Sequence, residues 1–145
     1  MKVLEDLLRG TQSNSSATTI ALAQRLATQM PADTYLLLKG DLGAGKTTFV
    51  KGLAVAWGIE QTITSPTFNI YQIYSGERQL IHMDAYRLPD HSQIEDLMLE
   101  DFMQSPYCLA LEWPERVWES LPPNCWHLEF HLGNNAQRHI QLKIP

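Results

Sequence analysis

Cysteine is nearly absent from this chain. Its two residues, Cys108 and Cys125, are too few and too far apart for a zinc site or a redox pair, and they read as buried free thiols. Basic charge is also short: 11 Lys and Arg stand against 16 Asp and Glu, giving a formal net charge of −5. That excludes a protein that grips nucleic acid through a basic footprint of its own. No apolar run reaches the roughly 20 residues that a membrane helix needs, and no export signal is visible, so the expected compartment is the cytoplasm. There is no Asn-Lys-x-Asp sequence to read guanine, no internal repeat and no low-complexity linker. From Leu88 to Glu115 there are seven acids and no Lys or Arg. Such a stretch is either a solvated face or a surface that meets a basic partner.

The composition that remains, 44% hydrophobic and 19% charged over 145 residues, suits one globular domain spanning residues 1–145. Its organising stretch is Gly40–Thr48, GDLGAGKTT. Gly40, Gly45, Lys46 and Thr47 make the pattern Gly-x4-Gly-Lys-[Ser/Thr]. Glycines let the backbone curl so that successive N–H groups point at phosphate oxygens. Lys46 then reaches the β- and γ-phosphates, and the Thr47 hydroxyl completes a Mg²⁺ shell. The context agrees. Thr34–Lys39 is an apolar run of strand length, and Phe49, Val50, Leu53, Ala54 and Trp57 have the spacing of one helix face. The loop therefore joins a buried strand to a helix N-terminus, where free N–H groups and the helix dipole favour an anion.

Upstream, Met1–Gly10 shows no clean period and Thr11–Ser16 is polar and turn-like. A helix is expected from Ser16, with Leu22, Ala23, Leu26, Ala27 and Met30 on one face and Pro31 ending it. Downstream, Phe68–Tyr74 and Gln79–Asp84 read as a strand pair turned at Ser75-Gly76-Glu77. Alternation puts His82 and Asp84 on one face and Ile81 and Met83 on the other. Asp90 with Gln93 resembles a capping box for a helix that buries Ile94, Leu97, Met98 and Phe102. Tyr107–Trp113 is a second buried strand, Pro114 opens a short helix over Glu115–Leu121, and Trp126–Leu132 with Arg138–Ile144 forms a closing antiparallel hairpin. The expected fold is α/β: a P-loop domain with a mixed sheet, parallel core strands at Thr34–Lys39 and Tyr107–Trp113, antiparallel hairpins beyond them, and helices on both faces.

A P-loop needs a carboxylate on a neighbouring strand to hold Mg²⁺ or orient the attacking water. Glu112 ends the strand CLALE, the usual place for such an acid in an open α/β sheet, and Asp84 ends the strand carrying His82. Both are candidates. A His-x-Asp pair can ligate a transition metal, but no third ligand is evident. Trp113 is a strand-end aromatic or a wall of the nucleotide site. Ser65-Pro66-Thr67 lies where P-loop proteins place a loop that senses the γ-phosphate, and equally reads as a polar turn.

Taken together, GDLGAGKT, SPTF at Ser65–Phe68, HMDAYRL at His82–Leu88 and LEWPER at Leu111–Arg116 closely resemble the TsaE (YjeE) family of bacterial P-loop ATPases, from about the first helix to the final hairpin. One departure is Ala23, where the family usually has Gly. The resemblance implies an ATP- and Mg²⁺-binding, slowly hydrolysing ATPase that serves the threonylcarbamoyl modification of the adenosine beside the anticodon of tRNA. It implies action on a TsaB–TsaD complex, with tRNA met only through that complex and no membrane involved. Carried over by position, Gly43, Ala44, Gly45, Lys46, Thr47 and Thr48 cradle the nucleotide, and Ser65 and Thr67 lie in a switch loop. Thr47, Asp84 and Glu112 serve the metal, Glu112 is the acid of the second buried strand, and Trp113 is its nucleotide-side neighbour. Lys46, Asp84 and Glu112 are the catalytic candidates. The competing readings are a small-molecule or nucleotide kinase, a GTP switch, and a module that holds nucleotide without hydrolysing it. A kinase usually brings arginines over the phosphates from a lid, and Leu88–Glu115 has none.

Overall fold

The protein is described from a computed structural model that covers residues 2–41, 43–65, 70–88, 98–135 and 137–145, the side chain of Arg87 excepted. Its strands are β1 (Thr11–Ser13), β2 (Thr34–Gly40), β3 (Tyr71–Tyr74), β4 (Gln79–Asp84), β5 (Tyr107–Glu112), β6 (Trp126–Leu132) and β7 (Arg138–Lys143). They form one mixed sheet in the order β1-β7-β6-β2-β5-β4-β3. The four central strands β6, β2, β5 and β4 run parallel, and antiparallel partners flank them on both sides. The P-loop strand β2 therefore lies between β5 and β6, buried on both faces, as its unbroken TYLLL run requires.

The faces of the sheet are covered differently. Leu36 and Leu38 of β2, Cys108 and Ala110 of β5, and Leu128 and Phe130 of β6 pack against α1 (Lys2–Arg9), α2 (Ser16–Ala27) and α3 (Lys46–Ala56). On the opposite face Leu37, Ile81, Met83, Leu109 and Leu111 pack beneath 3₁₀ turns at Ala85–Arg87, Leu99–Asp101 and Pro114–Ser120. Helices α2 and α3 approach very closely. A methyl group added at Gly52 of α3 would lie 2.5 Å from the Ala23 Cβ and 2.6 Å from the Ile20 carbonyl oxygen of α2. Glycine at position 52 thus makes room for the Ala23 methyl. Both cysteines are free and buried. Burial pushes the Cys108 thiol up to about 12, with the Arg78 guanidinium opposing the shift.

Several expectations are corrected. Within the stretch Met1–Gly10, Lys2–Arg9 form helix α1, which buries Val3 and Leu7. Thr11–Ser13, read as a turn, is strand β1 paired to β7. Ser13 tolerates full burial because its hydroxyl bonds the Thr19 hydroxyl at 2.7 Å. Helix α2 ends at Ala27, where Thr28 caps it, before Met30. The described part of the strand expected at Phe68–Tyr74 is Tyr71–Tyr74. The helix expected from Asp90, with Gln93, Ile94 and Leu97, falls outside the described residues. Of its stripe, Met98 and Phe102 are 64% and 51% exposed and Leu99 is buried instead. The short helix expected over Glu115–Leu121 is present as the 3₁₀ span Pro114–Ser120, kinked at Val117. Among the described residues no helix is long and apolar enough to cross a membrane.

Candidate functional site

The site starts at the C-terminal end of β2. There the chain turns through Gly43 and Gly45, whose φ angles of 80° and 103° belong to the left-handed region that glycine enters without strain. Among the described residues a Cβ at either position would meet nothing within 4 Å, so the loop presents bare backbone toward the space beside it. Gly45 precedes α3 and supplies no side-chain cap. The first N–H groups of α3 are therefore left to an anion.

That space is a cavity of about 490 Å³. Gly43, Gly45, Lys46, Thr47 and Thr48 form its floor, and Ser65, Asp84, Glu112 and Trp113 gather around it. Strand register explains the convergence. Glu112 is level with Leu38 of β2 and with Asp84 of β4, so two carboxylates end adjacent strands beside the loop. Ala44 is buried in the core and its N–H donates to the Asp41 carbonyl at 3.1 Å. Thr67, expected in the switch loop, lies outside the described residues.

A chain of hydrogen bonds crosses the site. The Thr47 hydroxyl donates to Glu112 Oε2 at 3.1 Å and bonds the Ser65 hydroxyl at 3.0 Å. His82 Nε2 donates to the same Oε2 at 2.6 Å. His82 is fully buried, and among the described residues its Nδ1 has no hydrogen-bond partner. Burial alone pulls the Glu112 carboxyl upward. The hydrogen bond and charge of His82, the charge of Lys46 and the Thr47 hydroxyl outweigh it and leave Glu112 below the usual carboxylate value. Lys46 is only 4% exposed. Burial lowers its pKa against the opposing pull of Glu112, Asp84, Glu115 and Asp41.

Lys46 Nζ donates to the Gly40 carbonyl at 2.6 Å and lies 4.2 Å from the centre of a Trp113 ring. Trp113 holds a left-handed φ of 58°, a conformation that costs a bulky residue about 1–3 kcal/mol. It is braced by Tyr86, with ring centres 5.2 Å apart. Arg116 in turn donates to the carbonyls of Tyr86 and Leu88, each at 3.1 Å. Trp113 is thus a wall of the cavity as well as a strand-end aromatic.

The donors fit a hard divalent cation. A threonine hydroxyl and two carboxylates, all oxygen, are the set that Mg²⁺ uses when phosphates and waters complete its shell. A transition-metal site at His82 and Asp84 finds no support: His82 Nε2 is engaged by Glu112, and among the described residues no group of three or more His, Cys, Asp or Glu could hold a metal.

Residues 13–140 match the sequence profile of the family described as threonylcarbamoyl adenosine biosynthesis protein TsaE. This chain belongs to the TsaE family. The tRNA threonylcarbamoyladenosine biosynthesis protein TsaE of Bacillus subtilis is 38% identical over 123 residues, covering 84% of this chain and 77% of the relative. The TsaE protein of Treponema pallidum is 37% identical over 107 residues, 74% of this chain and 79% of its own. The crystal structure of Bacillus subtilis YdiB superposes with a TM-score of 0.76 at 30% identity, covering 94% of this chain and 85% of that one. The family works in tRNA threonylcarbamoyladenosine biosynthesis, and the fold is that of a TsaE protein.

Sequence reasoning missed one side of this TsaE-family cavity. Asn14, Ser15, Ser16, Thr19 and Arg138 also line it. Arg138 donates to the Gly43 carbonyl at 3.1 Å across 95 positions of sequence. No local pattern announces these residues; they meet only because β1 pairs with β7. His82 as the partner of Glu112 was within reach, because alternation along β4 already placed it on the face of Asp84.

Proposed function

We propose that this chain is an accessory ATPase of tRNA threonylcarbamoyladenosine synthesis, binding ATP with Mg²⁺ and hydrolysing it slowly until a TsaB–TsaD complex stimulates it. The observation that carries the reading is the meeting of Lys46, Thr47, Ser65 and Glu112 in one cavity at the N-terminus of α3, in a chain of the TsaE family. On ATP binding, Lys46 exchanges the Gly40 carbonyl for phosphate oxygens, and the N–H groups of the loop and of the first turn of α3 hold the rest of the phosphate chain. The Thr47 hydroxyl and the carboxylates of Asp84 and Glu112 would hold Mg²⁺, which when bound neutralises charge on the β- and γ-phosphates. Glu112 Oε2 already accepts from His82 and Thr47, so the proton of the attacking water passes to Oε1. Trp113 shields Lys46 from solvent and raises the strength of its field at the phosphates.

Slow basal turnover follows from the same arrangement. Ser65 and Thr47, which would meet the metal and the γ-phosphate, are bonded to each other at the mouth of the site. A partner that closes the loop and excludes water makes a positioned acid effective. The test is phosphate release from ATP, alone and with purified TsaB and TsaD, once complex formation has been confirmed. Stimulation supports the reading. Equal rates in both conditions sink the partner-switched ATPase, and a phosphorylated small molecule in the products would favour a kinase.

A further inference from the structure

The core beneath the 3₁₀ turns ends at β2. Leu37 belongs to it, but among the described residues no side chain of β6 or β7 does. On that face β6 instead presents His127, Glu129 and His131, which are half-buried to exposed and alternate with the buried Leu128 and Phe130. The 3₁₀ span Pro114–Ser120 borders this polar face. Its Trp118 is 54% exposed and rests against His127, with ring centres 5.6 Å apart. Two cavities lie along the border. One, of about 190 Å³, is apolar, lined by Leu37, Trp118, Leu121, Pro122 and Pro123 beside His127. The other, of about 240 Å³, is charged: Asp41, Glu115 and Glu129 line it with Trp113, against Lys39 and His131. Leu37 pairs with His127, and Lys39 with Glu129. Two residue steps along the same strand pair, about 7 Å, therefore separate the cavities.

Each cavity suits one kind of side chain. In the charged one, Lys143 holds Glu129 at 2.7 Å. Among the described residues the carboxylates of Asp41 and Glu115 have no ion-pair partner. A planar guanidinium can fork onto carboxylates and lie against an indole ring, which a compact ammonium does less well. The apolar cavity offers a half-exposed tryptophan flanked by prolines, the kind of anchor that dominates protein interfaces. In an extended chain, side chains two residues apart share a face and stand about 7 Å from one another, which matches the spacing of the two cavities.

Resting on the partner-stimulated reading above, we infer that the two cavities form one docking groove for an extended segment of the partner protein, which seats an apolar side chain beside Trp118 and, two residues away, an arginine between Asp41 and Glu115. The groove reaches the nucleotide site through Trp113, which lines the charged cavity and the P-loop cavity alike and whose ring centre is 4.2 Å from Lys46 Nζ. Burial lowers the Lys46 pKa, and Asp41 and Glu115 are among the carboxylates that oppose it. An arginine that takes up those two charges leaves the Lys46 field stronger at the phosphates. Docking and ATP binding then favour one another, each by the same factor.

The test uses the whole chain, with purified TsaB–TsaD complex as the probe. Docking affinity is measured by biolayer interferometry with Mg-ATP present, on wild type, Trp118→Ala, Glu115→Arg and Phe102→Ala, the last an exposed aromatic that lines neither cavity. Thermal melting verifies folding, and calorimetry gives Mg-ATP affinity without the partner. Trp118→Ala and Glu115→Arg should each weaken docking by about tenfold or more, the usual worth of an aromatic anchor or a close charge pair. Both should bind Mg-ATP no more weakly than wild type, and Phe102→Ala should dock as wild type does. The photocrosslinker p-benzoylphenylalanine at position 118 should capture a segment with an apolar residue two positions from an arginine. Reversing that arginine to glutamate should restore the docking of Glu115→Arg. Unchanged docking in both groove variants, failure of the reversal, or a crosslink to a second copy of this chain or to a segment without a cation would overturn the groove and leave the partner reading standing. A wild type that never docks would overturn both.

Discussion

Thr47 of the P-loop helix and Glu112 of the neighbouring strand are 65 residues apart in sequence, yet the hydroxyl of one donates to the carboxylate of the other at 3.1 Å. The contact joins the two parts that phosphoryl chemistry needs beside one another, a phosphate cradle and an acid. It arises because β2 and β5 run parallel in register, Leu38 against Glu112, and because α3 begins immediately beyond the end of β2. His82 then fixes the acid from behind, at 2.6 Å.

Lys46→Ala tests the cradle. Lys46 is almost fully buried and its ammonium is satisfied by the Gly40 carbonyl and the Trp113 face. Removing its charge-assisted contact of about 1.5–3 kcal/mol should weaken ATP by roughly ten- to a hundredfold. Calorimetry measures this, and an unchanged dissociation constant would remove Lys46 from the phosphate site.

The close helix pair gives a stability prediction. Gly52→Ala would drive a methyl to 2.6 Å from the Ile20 carbonyl oxygen, a backbone atom that cannot step aside. The variant should lose about 1–3 kcal/mol, typical of overpacking, and melt several degrees lower. Ala23→Gly in the Gly52→Ala background removes one of the two clashes and should restore only part of the loss. Full recovery would show that the Ala23 methyl, not the α2 backbone, sets the limit.

Burial of Cys108 gives a pH prediction. Its thiol is pushed up from 9.0 to about 12 in the folded protein, so the unfolded chain ionises first as pH rises. The folded state then keeps a proton that the unfolded state has lost, and stability falls between about pH 9 and 12. Urea midpoints across that range should drop more steeply in wild type than in Cys108→Ala, and iodoacetamide should label Cys108 only after unfolding. Parallel pH profiles, or ready labelling of the native protein, would contradict the burial.

The centre of this architecture was legible because its signals are local. The glycine loop, the TYLLL run and the 3,4-spacing after Lys46 each lie within a dozen residues, and CLALE and the final alternating hairpin are equally self-contained. Glu112 and Asp84 could be chosen as strand-end acids before any contact was known. The edges were not legible, for the opposite reason. Helix α1 buries just two residues, and β1 is three polar residues whose strand character comes entirely from β7. Arg138 reads as an ordinary strand residue until the β1–β7 register and the P-loop bring it to the cavity. Met98 and Phe102 have helical spacing, yet the chain between them makes a 3₁₀ turn at Leu99–Asp101 that leaves both exposed and buries Leu99.

The central claim is that Glu112 is the acid that works on ATP bound at the P-loop. The most direct measurement is single-turnover hydrolysis of ATP by Glu112→Gln, with ATP affinity measured alongside. The glutamine keeps the size of the side chain and an oxygen to accept from His82 and Thr47, but cannot take the proton of the attacking water. ATP binding should stay close to wild type while hydrolysis slows by about a hundredfold or more, the usual worth of a positioned base. Hydrolysis at the wild-type rate with ATP bound would contradict the account and pass the role to Asp84, the other carboxylate at the site.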